Sequence, residues 1–559
     1  MKARPLFIFS QKNNQFQGTG QPYNIFTMKR YILRTWALRG RGLILALLSV
    51  SLVALFTQYA YAQVRFAKTY GGTDSDEYNR VQRTSDGGYI VTGRTSSFGA
   101  GWSDIFLIKT DAYGNLQWAK TYGGSSWEYA SSAQQTSDGG YIVAGYTNSF
   151  GAGNSDLFLI KVNSSGNIIW VKTYGGINDD NASSVQQTSD GGYIVAGSTY
   201  SFGAGDRDFF LIKVNSSGNI IWAKTYGGTS GEWANSAQQT SDGGYIVVGL
   251  TWSFGASGGD IFLVKTDANG NVQWAKTYGG AGWDQPYSVQ QTSDGGYILT
   301  GETTSFGAGN RDFFLIKTDA NGNVQWAKTY GGTNWDQAFS VQQTSDGGYI
   351  VAGGTWSFGA GGYDFLLIKT DANGNVQWAK TYGTANNDIA WSVQQTSDGG
   401  YIVAGDSPLG MGLWDIFLIK TDANGNIGSC AAVQVQDIAP TVTTPSLTVA
   451  TVSPSVNNVS PTILSVSPTV TSPTFTVSEP CFSTISESCQ IVSGIITPYK
   501  GGIKVSGFGE FEVKVYNVSG VMVKSVKGKN EVKLELSRGV YFVEVISGGR
   551  VLREKVVVR

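Results

Sequence analysis

From residue 64 onward the apolar residues fall into short runs separated by glycine-rich turns, and no stretch shows the 3.6-residue period of an amphipathic helix. The runs recur. The string Thr-Ser-Asp-Gly-Gly-Tyr places its aspartate at 86, 138, 190, 242, 294, 346 and 398, a constant step of 52 residues. Trp118, Trp170, Trp222, Trp274, Trp326 and Trp378 keep the same step. Within one copy, residues 325–330, 338–344, 349–353 and 364–370 read as four strands. Ser345-Asp346-Gly347-Gly348 supplies hairpin glycines, and the Asn-Gly pair in residues 371–375 marks a second tight turn.

Seven such copies fill residues 64–427. Four strands per ~50 residues, repeated in this way, predict an all-β chain folded as a seven-bladed β-propeller of four-stranded blades. The ends of the array fit a closed ring. The first copy begins with an isolated first strand at 64–69, with Phe66 in the tryptophan slot. The last ends with a fourth strand at 415–421, after which Ser429 stands in that slot and the next first strand is degraded. The N-terminal strand is therefore expected to complete the last blade and to tie the two ends together. A tryptophan that recurs at one strand position reads as packing between blades.

The flanks read differently. Residues 1–62 carry eight Lys or Arg and no acid, then an apolar run at 43–56 and Ala60-Tyr61-Ala62 before Gln63. This is the pattern of a secretory signal cleaved between Ala62 and Gln63; the apolar run falls short of the ~20 residues that span a bilayer. Met28-Lys29-Arg30 is the more natural start. The propeller then occupies 63–428. Residues 429–490 form a Ser/Thr/Pro/Val-rich linker that holds seven of the 12 prolines, expected as an extended stalk with room for a few strands. Cys481 and Cys489 stand close enough in sequence for a small disulfide loop, with Cys430 left as a free thiol or an alternative partner. Residues 491–559 alternate with period two in about seven short segments and predict a small C-terminal β-sandwich.

Composition then narrows the chemistry. The chain has no histidine, which excludes Ser-His-Asp and Cys-His machinery and histidine-ligated zinc. The whole chain carries −1, the first 62 residues +8 and the last 70 +6, so residues 63–489 carry −15, which argues against nucleic acid as a partner. No catalytic or metal-ligating set is expected. The turn Asp267-Ala268-Asn269-Gly270-Asn271 resembles the opening of a calcium loop, but Tyr278 stands where an EF-hand needs its glutamate. No cofactor is therefore expected, and calcium is the one candidate.

Positions that vary between copies are more informative about binding. Tyr200, Trp252 and Trp356 share one slot of the loop between third and fourth strands, and Trp127, Trp283 and Trp335 share one slot of the loop between first and second strands. Strand direction alternates within a blade, so both loops emerge on one face. That face also receives an acid from every copy: Asp76, Glu128, Asp180, Glu232, Asp284, Asp336 and Asp388. These acids read either as caps of their own loops or as a ring of carboxylates around the channel mouth.

As a whole, the repeat resembles the secreted bacterial propeller repeats of the type W-x-K-T-Y-G-G … Q-T-x-D-G-G-Y-I-V-A-G, a likeness that implies an exported protein and no catalytic residues. In the tail, Val515-Tyr516-Asn517-Val518-Ser519-Gly520, then Leu536-Ser537-Arg538-Gly539-Val540-Tyr541-Phe542-Val543, Gly548-Gly549 and Lys555-Val556-Val557-Val558 resemble the type A C-terminal sorting domain of the type nine secretion system. That resemblance implies recognition by export machinery and a secreted or outer-surface location. The function expected is a monomeric, non-catalytic binding or adhesion module whose partner is a surface glycan or protein. The alternatives are a purely structural surface spacer and a carboxylate-dependent polysaccharide hydrolase or lyase.

Overall fold

The structure, a computed structural model, describes residues 64–428 and 432–451 and, beyond them, the strand segments between 455 and 558. The signal segment with its Ala62–Gln63 junction, Met28, Cys430 and Cys489 lie outside the described residues, and so does the pairing expected of Cys481 with Cys489.

Seven antiparallel four-stranded blades surround a central channel. Each blade runs outward from the second, third and fourth strands of one repeat to the first strand of the next. In blade 1 these are Asp76–Arg83, Tyr89–Thr95, Asp104–Thr110 and Leu116–Gly123. Blade 7 is built from Ile389–Gln395, Tyr401–Ser407 and Asp415–Thr421, and the N-terminal strand Phe66–Gly71 closes it, with Phe66 opposite Lys420 and Tyr70 opposite Ile416.

The middle strands read as continuous apolar runs because both of their faces are covered. Between blades 3 and 4, for example, Ile194, Phe209, Leu211 and Tyr226 pack against Tyr245, Val247, Phe262 and Val264. The recurrent tryptophan sits at this junction, with Trp222 edge-on to Tyr245 at 5.8 Å. Phe66 makes the equivalent contact with Tyr89 at 6.2 Å.

Buried polar groups are satisfied repeat by repeat. The Tyr226 hydroxyl donates to the Gly270 carbonyl at 2.7 Å. Lys265, buried on the fourth strand, pairs with the hairpin Asp242 at 2.8 Å and donates to the Thr266 carbonyl at 2.8 Å. Partial burial would raise Asp242, but hydrogen bonds from Lys265, Thr240 and the Gly244 N–H outweigh it and hold the carboxyl at about 2. Around the channel, Gln82, Gln134, Gln186, Gln238, Gln290, Gln342 and Gln394 each accept the backbone N–H at the end of the next blade's inner strand, at 2.5–2.6 Å. The chain of bonds has no gap, so it closes the ring from inside.

The linker departs from the expected stalk. Gln434–Asp437, Thr441–Thr443, Thr448–Thr451, Ser455–Asn458, Thr462–Ser465, Thr469–Thr471 and Thr476–Cys481 each add a fifth, outermost strand to one blade. They visit blades 6, 5, 4, 3, 2, 1 and 7 in that order, against the direction in which the blades were laid down. Their first residues are seven apart, and each of these seven pairs with a blade glycine: Gln434 with Gly383, Thr441 with Gly331, Thr448 with Gly279, and so on to Thr476 with Gly71.

Twist explains the geometry. Each step across a blade rotates the strand by ~20–25°, so four steps bring the fifth strand ~80–100° from the channel axis and nearly tangential to the ring. A chain running around the circumference is then aligned to pair with every blade. Val433 is buried, Ile438 and Leu447 pack against the blade cores, and the Ile438 N–H donates to the Ala379 carbonyl at 3.0 Å.

In the tail, Ile495–Tyr499, Gly502–Asn517, Met522–Glu535, Gly539–Ser547 and Arg550–Val558 form an antiparallel sheet over Ile503, Val505, Val513, Val515, Leu534 and Val543. These five strands are longer than the seven short ones expected. Gly502–Asn517 pairs along one edge with Met522–Glu535 and along the other with two different strands, breaking register between Ser506 and Glu510.

Replacing residues 433–481 with a Gly/Ser chain of equal length removes the outer edge pairing of all seven blades. The expected result is a propeller that keeps its β-sheet circular dichroism, melts at a lower temperature and self-associates through bare edges. Thermal melts with light scattering test this; an unchanged melting temperature would show that the belt is a passive wrapping.

Candidate binding face

The two variable loops meet on one face and are zipped by backbone bonds between the slots themselves. The Tyr200 N–H donates to the Asp179 carbonyl (2.9 Å), Trp252 to Gly231 (3.0 Å), Thr304 to Trp283 (2.8 Å), and Trp356 to Trp335 (2.8 Å). Backbone geometry is thus fixed while side chains are left to vary. Trp127, Tyr200, Trp252, Trp283, Trp335 and Trp356 are 38–47% exposed, each showing part of its ring to solvent.

Arginines hold four of these rings, Trp127, Tyr200, Trp283 and Trp335, and the sequence reading did not single them out. Arg207 lies 5.1 Å from the Tyr200 ring and 4.8 Å from Trp233, and Arg311 lies 5.2 Å from Trp283 and 4.8 Å from Trp335. Arg94 lies 5.9 Å from Trp127 and pairs with Glu77 at 2.8 Å. Desolvated cation–π pairs of this kind contribute up to about 2 kcal/mol and stiffen the rings they touch. Trp102, 72% exposed, stacks on Trp127 at 6.5 Å, and Tyr363 stacks on Trp356 at 5.2 Å. The signal for Arg207 and Arg311 was present in the slot of Ser103, Ser155 and Gly259, which holds these arginines and Tyr363 in other copies.

The acids are placed otherwise than a ring at the channel mouth requires. Asp76, Glu128, Asp180, Glu232, Asp284, Asp336 and Asp388 are at most 2% exposed. Each is turned into its own blade as a loop cap. Asp76 accepts from the Gly72 N–H and Ser97 hydroxyl, and Glu128 from the Gly124 N–H and Thr147 hydroxyl. Asp180, Glu232, Asp284 and Asp336 repeat the pattern from Gly176, Gly228, Gly280 and Gly332, and Asp388 from Thr384. The loops' own donors orient these carboxylates inward, away from any ligand.

A second carboxyl stands beside each cap. At Gly279, an added Cβ would lie 1.9 Å from Asp260 Oδ1 and 2.8 Å from Asp284 Oδ2, so the pair fills the space a side chain would occupy. Gly71, Gly123, Gly175, Gly227, Gly331 and Gly383 make the same room in the other blades. The Oδ1 atoms of Asp104, Asp156, Asp208 and Asp312 meet no donor in the protein. Among the described residues no three acidic or cysteine side chains converge as a metal site. In the turn that resembles a calcium loop, Asp267 Oδ1 accepts the Asn269 and Asn271 N–H groups at 2.9 and 2.8 Å, so the loop's own amides occupy that carboxylate.

Burial, with the neighbouring carboxylate behind it, pushes Asp260 up to about 7 and Asp208, Asp364 and Asp415 up to about 6; burial raises Asp76 to about 6 as well. Raised carboxyls stabilise the fold fully below the unfolded value of 3.8, and that stability is lost as pH rises through 6–7. The hairpin aspartates act in the opposite sense, losing their contribution as pH falls from 3.8 towards 2. The melting temperature should therefore peak at mildly acidic pH and fall towards pH 8. Asp260→Asn, which keeps a neutral donor beside Asp284, should flatten part of that fall in a calorimetric pH series.

Two family models match parts of this chain. Residues 497–559 match the family described as the secretion system C-terminal sorting domain. Residues 136–168 and 188–220 match the domain of unknown function (DUF5122) beta-propeller. The chain is 26% identical over 179 residues to the regulatory protein FlaEY of Caulobacter vibrioides, a match covering 28% of this chain and 19% of that protein. It thus spans about a fifth of that relative's length. Among solved structures, the BSP domain of a biofilm associated protein aligns with 88% of this chain and 97% of its own at 8% identity and a TM-score of 0.12. No helix among the described residues is long and apolar enough to cross a membrane. The chain is a seven-bladed β-propeller repeat protein that ends in a secretion system C-terminal sorting domain.

Proposed function

We propose that this is an exported, non-catalytic binding module that engages a glycan or protein ligand through its loop face, with the C-terminal domain addressing it to the export machinery and the cell exterior. The observation that carries the reading is the contrast between the two faces. The hairpins of the Thr-Ser-Asp-Gly-Gly face repeat almost unchanged, whereas the loop face carries half-exposed Trp and Tyr rings clamped by Arg94, Arg207 and Arg311. Packing does not dictate such rings, since equivalent slots elsewhere hold Ser96, Asn148 and Thr304. Rigid aromatic and arginine side chains on an otherwise polar rim are the residue types that dominate binding energy at interfaces. The spacer alternative has its own support in the belt, which ties all seven blades into one rigid body.

Glycan arrays and pull-downs with the mature chain test the binding reading. Trp356→Ala, which removes the ring between Trp335 and Tyr363, is expected to weaken binding by about 2 kcal/mol, roughly thirtyfold. Unchanged binding in Trp356→Ala and Trp252→Ala would remove the loop-face rings as the site, and no ligand retained at all would leave only the spacer.

A further inference from the structure

The inner strands line the channel, and near the loop face one of their slots breaks the sevenfold pattern. It holds Ser131, Ser183 and Asn235 in blades 2–4 but Tyr287, Phe339 and Trp391 in blades 5–7. Those three rings touch in series, Tyr287 to Phe339 at 4.9 Å and Phe339 to Trp391 at 4.4 Å. Tyr78 continues the series from Trp391 at 5.2 Å, Tyr129 lies 5.0 Å further on, and Tyr146 stacks on Tyr129 at 5.3 Å. Six aromatic rings thus form a crescent over five consecutive blades.

Tyr78 is present at a conformational cost. Its slot is a buried alanine in five other blades, Ala130, Ala182, Ala234, Ala338 and Ala390, and Pro286 in the sixth. A phenol ring does not fit there. Every inner strand carries a one-residue bulge here, but in blade 1 the pairing opposite Gly93 is lost as well, between Glu77 and Arg80, and Tyr78 takes φ = 60°, the one positive φ outside glycine among the described residues. A non-glycine residue in this region costs of order 1–3 kcal/mol. The Tyr78 N–H is held by Asp406 at 3.1 Å, and the same carboxylate accepts the Trp391 indole N–H.

A cavity of about 210 Å³ opens against this crescent, lined also by Ser131, Ser183, Asn235 and Arg80. Arg80 stands where the other six blades carry serine, donates to the Trp391 carbonyl at 3.1 Å, and is the one charged side chain among the residues lining the cavity. One wall is therefore a set of aromatic faces with the Arg80 guanidinium 5.5 Å from the Trp391 ring, and the other carries hydroxyl and amide groups. The volume is below the ~300–1,000 Å³ typical of sites for drug-sized ligands, room for a single ring rather than a folded peptide segment.

We propose that the crescent of Tyr287, Phe339, Trp391, Tyr78 and Tyr129, with Arg80 on the same arc and Ser131, Ser183 and Asn235 facing it, binds one sugar ring at the end of a glycan chain. A pyranose is the ligand that matches both walls, since its C–H face stacks on aromatic rings while its hydroxyls bond to the polar side. The proposal rests on the loop-face binding reading and locates it at the channel mouth, with the exposed rim tryptophans receiving the chain beyond the terminal ring.

The test titrates the mature chain with methyl glycosides of neutral hexoses, N-acetylhexosamines and hexuronates and with their tetrasaccharides, read by tryptophan fluorescence and calorimetry, beside an array of peptides and envelope proteins. Saturable binding of one sugar class is expected; for its methyl glycoside it is weakened at least tenfold in Trp391→Ala, Tyr287→Ala and Tyr78→Ala and less than threefold in Trp356→Ala, whose roughly thirtyfold loss falls on the tetrasaccharide alone. Tyr78→Ala restores the residue of the other blades, so its melting temperature should hold or rise while binding is lost, which separates recognition from folding. Glycan binding that survives Trp391→Ala but fails in Trp356→Ala would overturn the channel-mouth site and leave the loop-face reading standing. Retention of peptides or proteins but of no sugar would overturn the ligand class. Retention of nothing would overturn both readings.

Discussion

The constraint on which this molecule turns is the unpaired edge. Every blade ends in an outer strand whose far side presents backbone N–H and C=O groups, and a ring of seven blades has seven such edges plus two loose ends. Exposed edges are templates for aggregation, and proteins blunt, cover or pair them. Here both problems meet the same solution, hydrogen-bonded strand addition. The N-terminal strand Phe66–Gly71 completes blade 7, and the linker returns around the ring to pair with every outer strand, ending on that same N-terminal strand through Thr476–Cys481. The last pairing joins the first strand of the propeller to the end of the belt, so to open the ring at blade 7 both must be peeled away.

Inside this frame, repetition relaxes the demand on each junction. A buried lysine, a caged carboxyl or a tyrosine hydroxyl must find its partner in any fold, because a buried polar group without one costs 1–3 kcal/mol. In this chain the solution found once is copied around the ring. Lys109, Lys161, Lys213, Lys265, Lys317, Lys369 and Lys420 all meet the aspartate of their own hairpin at 2.8–2.9 Å. The same copying restricts where the chain is free to change. Third and fourth strands are buried on both faces, so a new side chain there needs a compensating change in a neighbouring blade, whereas the loop slots and the inner-strand slots above the glutamine ring accept change singly.

Periodicity decided what was legible beforehand. The blades, their turns, the common loop face and the closing strand follow from a 52-residue step and from Ser429 standing where a tryptophan should be. The belt has a period too, Thr or Ser followed by Val or Ile at 441, 448, 455, 462, 469 and 476, but seven residues of Ser, Thr, Val and Pro look like low complexity until each heptad has a blade to pair with. The acids were open to misreading for a physical reason: recurrence shows that a residue is needed in every blade without showing which way it points. Glycines such as Gly279 held the missing clue, since a glycine kept five residues before an acid leaves room for that acid and a second carboxyl.

A ring of near-identical blades has a symmetric channel, and a symmetric channel offers a ligand seven equivalent and individually weak contacts. Discrimination needs the symmetry broken, and it is broken where packing permits, by Tyr78, Arg80, Tyr287, Phe339 and Trp391 on one arc and by small polar residues on the other. The backbone strain at Tyr78 is confined to the same arc, beside a carboxylate, Asp406, that serves both Tyr78 and Trp391. Strain of that size survives when the surrounding structure over-determines it. The pairing that closes the outer edges and the glutamines that close the inner ring provide that excess of constraint, so the stability secured by repetition is what allows one blade to depart from it.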